Sequence, residues 1–278
     1  MIPIEQRQFQ RGGLTFHYGV VGQGPPLVLL HGGGSRASHF HAVMQALASD
    51  YTVYAYDMRG FGDTGLAPGE PFGHQTWADD VGGFLDHLDL PAAAISGWSL
   101  GATVAMNYAS QNPDRVTALV LMGAPHPDRP IDRAYFHRRL DMVKAGATAQ
   151  DVVDQTFQTV TNMFSPWTLE HRPQALEQVR QEQLGNRVER VEPLVGAYES
   201  RPPFGPMLER IRCPVAIIAG DADPGGIRGA GGLSERLPVT HVEMIADCGH
   251  YYAVEQPRAT AEAMRRCLRW AQAQPRLA

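Results

Sequence analysis

Residues 95–101 read Ile95-Ser96-Gly97-Trp98-Ser99-Leu100-Gly101, a serine set between two glycines in the pattern G-x-S-x-G. At this glycine and serine content chance supplies about 0.1 such patterns per chain, so the flanking residues decide what it means. Ala92–Ser96 is apolar on both faces, as a buried parallel strand is. From about Leu100 the spacing turns helical, through Gly101–Ser110, until Asn112-Pro113 stops it. A sharp turn from strand to helix strains the serine backbone and lifts its hydroxyl at the strand's C-terminal end. The helix N-terminus behind it favours developing negative charge. Gly97 and Gly101 leave room for neighbouring backbone. The plainer alternative is a serine that only caps the helix.

Working outward, short runs bounded by turn residues repeat the buried-strand pattern at Leu27–Leu30, Thr52–Tyr56, Ala118–Met122, Val215–Ala219 and His241–Ile245. Helical spacing falls between them at Ala37–Ala48, Thr76–Leu88 and, last, about Pro257 to Ala271. This alternation predicts a doubly wound α/β sheet. Arg7–Gln10 and Leu14–Val21, parted by Gly12-Gly13, predict an opening hairpin on one edge. The alternation breaks after Met122. Arg133–Lys144, Ala149–Phe164 and Gln174–Gln183 are helical in pattern, with prolines between, and strand pattern resumes only at Val215. The expected organisation is a core in two parts, 1–127 and 211–278, with a helical cap insertion at 128–210 over the strand ends.

A serine hydroxyl needs a base within hydrogen-bond reach. Of the 11 histidines, His250 follows the last predicted strand and precedes the final helix, which puts it at the same sheet end as Ser99. His126 also follows a strand and is the rival. The base needs a carboxylate to fix its tautomer. Gly220-Asp221-Ala222-Asp223-Pro224 follows the penultimate strand. Asp223, further past the strand and beside what reads as a glycine-rich loop, is favoured; Asp221 and Asp128 stay open, and Asp247 reads as a turn residue. An oxyanion needs fixed N–H donors. Leu100, directly after the nucleophile, supplies one, and Gly33 in His31-Gly32-Gly33-Gly34-Ser35 supplies the second. The catalytic candidates are therefore Ser99, Asp223 and His250, with Gly33 and Leu100 binding substrate.

Bulk properties exclude other classes. The net charge of -5, without a basic run, gives no case for nucleic acid or an anionic membrane as partner. No apolar run is long enough to span a bilayer, and the N-terminus lacks a signal-peptide pattern, so the expected location is cytoplasmic. Three scattered cysteines (Cys213, Cys248, Cys267) suit neither a disulfide framework nor a zinc site and are expected to be reduced and partly buried. No metal or cofactor is expected; a small-molecule substrate is the expected partner, and the oligomeric state is not legible.

In five segments, in order, the chain resembles the α/β-hydrolase superfamily: Leu30-His31-Gly32-Gly33-Gly34; Asp57 to Thr64; Gly97 to Gly101; Pro113-Asp114-Arg115-Val116 into Leu119-Val120-Leu121; and Gly220 to Pro224 with Gly249-His250. The resemblance implies an eight-stranded, mostly parallel sheet with a helical cap, and it supports Asp223 as the acid and Gly33 as a donor. One departure is Asp63-Thr64, where a serine usually continues the Arg59-Gly60-Phe61-Gly62 turn; Asp57 and Arg59 read as structural there. Ser99 argues against the dehalogenases and epoxide hydrolases, which use aspartate. The Gly-Trp-Ser-Leu-Gly form is similar to that of carboxylesterases acting on pimeloyl methyl ester, but five residues do not carry a substrate. The expected activity is hydrolysis of a carboxylic ester, lactone or thioester of a small to medium, uncharged, fairly apolar substrate. A carbon–carbon bond hydrolase or lyase with the same triad is the enzyme alternative. A small-molecule receptor on the same scaffold is the alternative from another class.

Overall fold

Each apolar segment sends alternate side chains to opposite faces, so runs such as Pro26–Leu30 can be buried only between two layers of helices. The computed structural model of the chain describes residues 2–66, 72–129, 134–186, 188–237 and 240–275. Its strands are β1 (Glu5–Arg11), β2 (Leu14–Val21), β3 (Pro26–Leu30), β4 (Thr52–Tyr56), β5 (Ala93–Trp98), β6 (Val116–Met122), β7 (Val215–Gly220) and β8 (Thr240–Ile245). They form one eight-stranded sheet in the order β1-β2-β4-β3-β5-β6-β7-β8. β2 pairs antiparallel with β1 and with β4; the remaining neighbours are parallel. This is the α/β hydrolase fold.

The helices are α1 (His41–Leu47), α2 (His74–His87), α3 (Leu100–Gln111), α4 (Ala134–Lys144), α5 (Ala149–Thr161), α6 (Pro166–His171), α7 (Pro173–Leu184), α8 (Val191–Glu199), α9 (Phe204–Leu208), α10 (Pro224–Arg236), α11 (Tyr252–Glu255) and α12 (Pro257–Gln272). Val28, Leu30, Ile95, Leu119, Leu121 and Ile217 pack on the face covered by α2, α3 and α10. Leu27, Leu29, Val120, Met122, Ala216 and Ile218 pack on the other, under α1 and α12. All twelve are buried. At about 1.5–3 kcal/mol for each fully buried large aliphatic side chain, the alternation fixes the strand register, since a slip of one residue would exchange the two sets.

Between β6 and β7 the described residues hold α4 to α9 and no strand. The predicted Arg133–Lys144 helix is seen from Ala134; Arg133 itself lies outside the described residues. One expectation is overturned: the glycine-rich stretch after Asp223 is not a loop but helix α10. Asp223 caps it by accepting from Gly226 N–H at 2.9 Å, and Pro224 occupies its first turn. Gly229 serves close packing, since a Cβ there would lie 1.8 Å from the Ala124 carbonyl oxygen. The three cysteines are fully rather than partly buried. Among the described residues no helix is long and apolar enough to cross a membrane.

The turn after β4 is structural, as its residue types suggest. Asp57 accepts from Ala37 N–H and from Asp63 N–H, each at 2.7 Å. Arg59 grips Asp80 of α2 with two 2.8 Å bonds, both residues buried. Thr64 supplies its hydroxyl oxygen to His17 N–H at 3.3 Å. These bonds tie the β4 turn to the segment after β3, to α2 and to β2.

Candidate active site

The site is built at the C-terminal ends of the parallel strands. Ser99 sits between β5 and α3 with φ 53° and ψ −110°, a left-handed backbone that an L-residue adopts only under strain. The flanking glycines are obligatory there: a Cβ at Gly97 would stand 2.2 Å from the Gly101 carbonyl oxygen, and one at Gly101 would stand 2.2 Å from that of Leu30. Ser99 N–H donates to Met122 O at 2.9 Å, tying the turn to the end of β6. Leu100 is the first residue of α3, so its N–H has no acceptor within the helix.

His250 lies between β8 and α11. Its Nδ1 meets Asp223 Oδ2 at 2.8 Å, a bond between loops 27 residues apart. Asp223 is buried and has two further donors, the Tyr252 hydroxyl at 2.6 Å and Gly226 N–H. Burial alone would raise the Asp223 pKa. The His250 charge and hydrogen bond, with the Tyr252 and Gly226 donors, outweigh it and hold the carboxyl well below the usual carboxylate range. The imidazole packs beside the end of β6: a Cβ at Gly123 would be 2.8 Å from His250 Cε1. Trp98, next to the serine, donates from Nε1 to His250 O at 2.8 Å. Ser99 Oγ itself makes no hydrogen bond to the imidazole. Such contacts commonly tighten only with substrate bound.

The rivals have other partners. Asp221 accepts Cys248 N–H at 3.1 Å and so shapes the His250 loop. Asp128 pairs with Arg236, and His126 Nδ1 accepts Asp128 N–H at 3.1 Å. Asp247, at φ 53°, is a turn residue. Burial pushes the Cys248 thiol up strongly and the Cys267 thiol up to about 12, which removes both as nucleophiles.

Gly33 lies beside Leu100 and the insert. A Cβ there would be 3.8 Å from Leu100 Cδ2 and 2.3 Å from the Tyr198 hydroxyl, so a larger residue would have to displace the Tyr198 side chain. A cavity opens from Gly33 and Gly34 between Phe61, Tyr135, Phe136 and Val195, with Arg139 and Arg190 also on its wall. Of the insert aromatics, Phe136 stacks on Tyr198 at 4.2 Å and Phe164 on Tyr251 at 4.7 Å. Trp167 instead stacks on His171.

Several residues at the site escaped the sequence reading. Tyr252 donates to Asp223. Glu255, fully buried, accepts N–H bonds from Ser165, Gly249 and Tyr251 at 2.8–3.0 Å and so fixes the backbone around His250. Glu182 and His39 form a buried pair at 3.0 Å. A glutamate two residues before a helix-starting proline, as Glu255-Gln256-Pro257 is, was the one local signal; Tyr252, Glu182 and His39 depend on contacts across the fold. Among the described residues no group of three or more His, Cys, Asp or Glu could hold a metal ion.

Comparison with known proteins gives the family of the chain. The alpha/beta hydrolase fold family matches residues 25–257, and the chain belongs to that family. It is 32% identical over 227 residues to the pimeloyl-(acyl-carrier protein) methyl ester esterase of Chromobacterium violaceum, across 78% of this chain and 84% of that protein. It is 26% identical over 254 residues to 3-oxoadipate enol-lactonase 2 of Acinetobacter baylyi, across 90% and 92%. Its structure is similar to that of a thermophilic esterase from Thermogutta terrifontis, with TM-score 0.84 and 23% identity over 96% of this chain and 99% of that one. The structural likeness carries the fold; the sequence relatives support a hydrolase that acts on ester-type bonds.

Proposed function

We propose that the protein is a serine hydrolase cleaving a carboxylic ester, lactone or thioester of a small to medium, fairly apolar substrate. Ser99 Oγ attacks the carbonyl carbon while His250 Nε2 takes its proton, and Asp223 steadies the imidazolium. The N–H groups of Gly33 and Leu100 receive the charge that develops on the carbonyl oxygen. The tetrahedral intermediate expels the alcohol or thiol, which leaves with the proton from His250. Water, deprotonated by the same imidazole, then releases the acid from the acyl-enzyme. Residues 128–210 act as a cap over this site, with 1–127 and 211–278 as the catalytic core.

The observation that carries this reading is the 2.8 Å bond from His250 to a buried, strongly acidic Asp223, beside a serine held in a strained left-handed turn. The test is turnover of p-nitrophenyl acetate and butyrate, a lactone and a thioester, with fluorophosphonate labelling of the serine. The expected result is multiple turnover that Ser99→Ala abolishes. Turnover that survives Ser99→Ala overturns the nucleophile. Labelling without hydrolysis of any ester, lactone or thioester overturns the reaction class in favour of carbon–carbon cleavage or a receptor.

A further inference from the structure

The loop proposed to carry an oxyanion donor, residues 31–35, is not held by the core alone. Helix α7, which belongs to the insert, grips it from its last turn and from the residue just past its C-cap. Glu182 Oε2 accepts the Ser35 hydroxyl at 2.8 Å and His39 Nδ1 at 3.0 Å. Four residues on, Asn186 Nδ2 donates to Gly34 O at 2.7 Å and to Glu182 O at 3.0 Å. Both acceptors are carbonyl oxygens, which fixes which end of the Asn186 amide faces the loop. The Asn186–Gly34 and Ser35–Glu182 bonds therefore fasten the two residues that directly follow Gly33.

The Glu182 cluster is costly to keep unless it does something. Ser35, His39 and Glu182 are all nearly inaccessible to water, and a buried ionisable pair is seldom a better source of stability than apolar packing. Burial works to raise the Glu182 pKa, but the His39 charge and the donors from His39, Ser35 and Gln178 outweigh it and keep the carboxylate ionised. His39 Nε2 has no partner among the described residues, so the imidazole is held by Glu182 on one side and by its stack on Trp98, at 4.4 Å and 7° between planes, on the other. Trp98 is the residue before Ser99. The cluster thus ties α7 to the donor loop and, through Trp98, to the nucleophile turn.

We infer that Glu182 and Asn186 are positioning residues for the oxyanion site, so that the Gly33 donor is in place only while α7 is seated on the loop. This rests on the proposed serine-hydrolase reading. It assigns the insert a share in transition-state binding in addition to enclosing the substrate. A loop that relaxes by a fraction of an ångström moves one edge of the cavity, at Gly33, Gly34 and Asn186, and leaves the Phe61, Tyr135, Phe136 and Val195 walls in place. Its main cost falls on the bonds to the oxyanion, which strengthen as charge develops in the transition state.

The experiment uses the full chain and the variants Asn186→Ala, Glu182→Ala, Glu182→Gln and Ser99→Ala. The expected result for Asn186→Ala and Glu182→Ala is a fall in kcat on p-nitrophenyl butyrate on the order of 10- to 100-fold, with KM changed less than about twofold. Inhibition by butaneboronic acid, whose adduct with the serine is tetrahedral, should weaken by a similar factor. Glu182→Gln, which keeps an oxygen for Ser35 and His39, should recover most of kcat. Glu182→Ala strands a buried histidine and can fail to fold; Asn186→Ala, with a half-buried side chain, carries the test in that case. If Asn186→Ala leaves kcat and boronate affinity unchanged while Ser99→Ala is inactive, the positioning role is wrong and the serine-hydrolase reading stands. If Ser99→Ala remains active, both fall.

Discussion

Asp223 shows how one side chain can carry two duties. Its Oδ2 takes His250 and Tyr252, and its Oδ1 caps α10. Asparagine at this position keeps the shape but presents a donor where the imidazole N–H must be accepted. Asp223→Asn should therefore lower kcat by about 10³- to 10⁴-fold with little change in KM, measured on the best ester of the panel. The pH dependence of stability follows from the lowered Asp223 pKa. A carboxyl whose folded value lies below its unfolded value of 3.8 stabilises the fold at all pH above that value. This contribution is lost as pH falls below about 4 toward the folded value. Urea unfolding from pH 7 to pH 3 should show wild type losing more stability than Asp223→Asn over the acid end of the range. Of these residues, Ser99, Asp223 and His250 could be proposed from the chain because each lies in the first few residues after a strand. Tyr252 could not, because nothing local says that its hydroxyl reaches back to the carboxylate.

At the scale of elements, glycine has opposite meanings in two places. Gly101 lets α3 start against the backbone of β3, and alanine there would drive its methyl into Leu30 O and His31 O. Gly101→Ala should cost about 4 kcal/mol or more, or leave no folded protein, judged by chemical denaturation. Gly231, on the exposed side of α10, has open space where a methyl would stand, with nothing within 4 Å. Gly231→Ala should stabilise by about 0.4–1 kcal/mol by restricting the unfolded chain. Helix α10 was hidden in the sequence because its glycines argue for a loop on propensity; packing against Ala124 and His126 explains Gly229 and Gly232, contacts that the chain does not announce locally. The strands and the nucleophile turn were legible because apolar runs and G-x-S-x-G are local. The Arg59–Asp80 grip between the β4 turn and α2 was half legible. Arg59 reads as structural, but its partner is 21 residues away. Arg59→Ala leaves the buried Asp80 carboxylate to the longer 3.3 Å bond from the partly exposed Arg11 and should cost about 3 kcal/mol in the same denaturation assay.

Across the whole molecule, the segment between β6 and β7 touches both loops that flank the serine. It holds the Gly33 loop through Glu182 and Asn186, and the His250 loop through a 2.7 Å bond from His250 N–H to Met163 O and from the Ser165 hydroxyl to Asp247 O. The sequence marked this segment as helical and as an insertion. It could not show these bonds, because residues roughly 80 to 150 apart meet only once the sheet has formed. Replacing the segment by a short linker should therefore leave a sheet that still folds in part but has lost turnover even toward acetate esters, which need no enclosing pocket. A shortened protein with full activity on p-nitrophenyl acetate would show that the core sustains the chemistry alone.

The three buried thiols have a practical consequence. Cys213 stands at the entrance to β7, Cys248 two residues before His250, and Cys267 in the middle of α12, each sealed from solvent. An alkylating reagent added to the native protein should find none of them, and mass spectrometry after full denaturation should count three adducts. At intermediate urea the order in which they gain mass gives a map of which part of the molecule breathes first, written in the protein's own sulfur atoms.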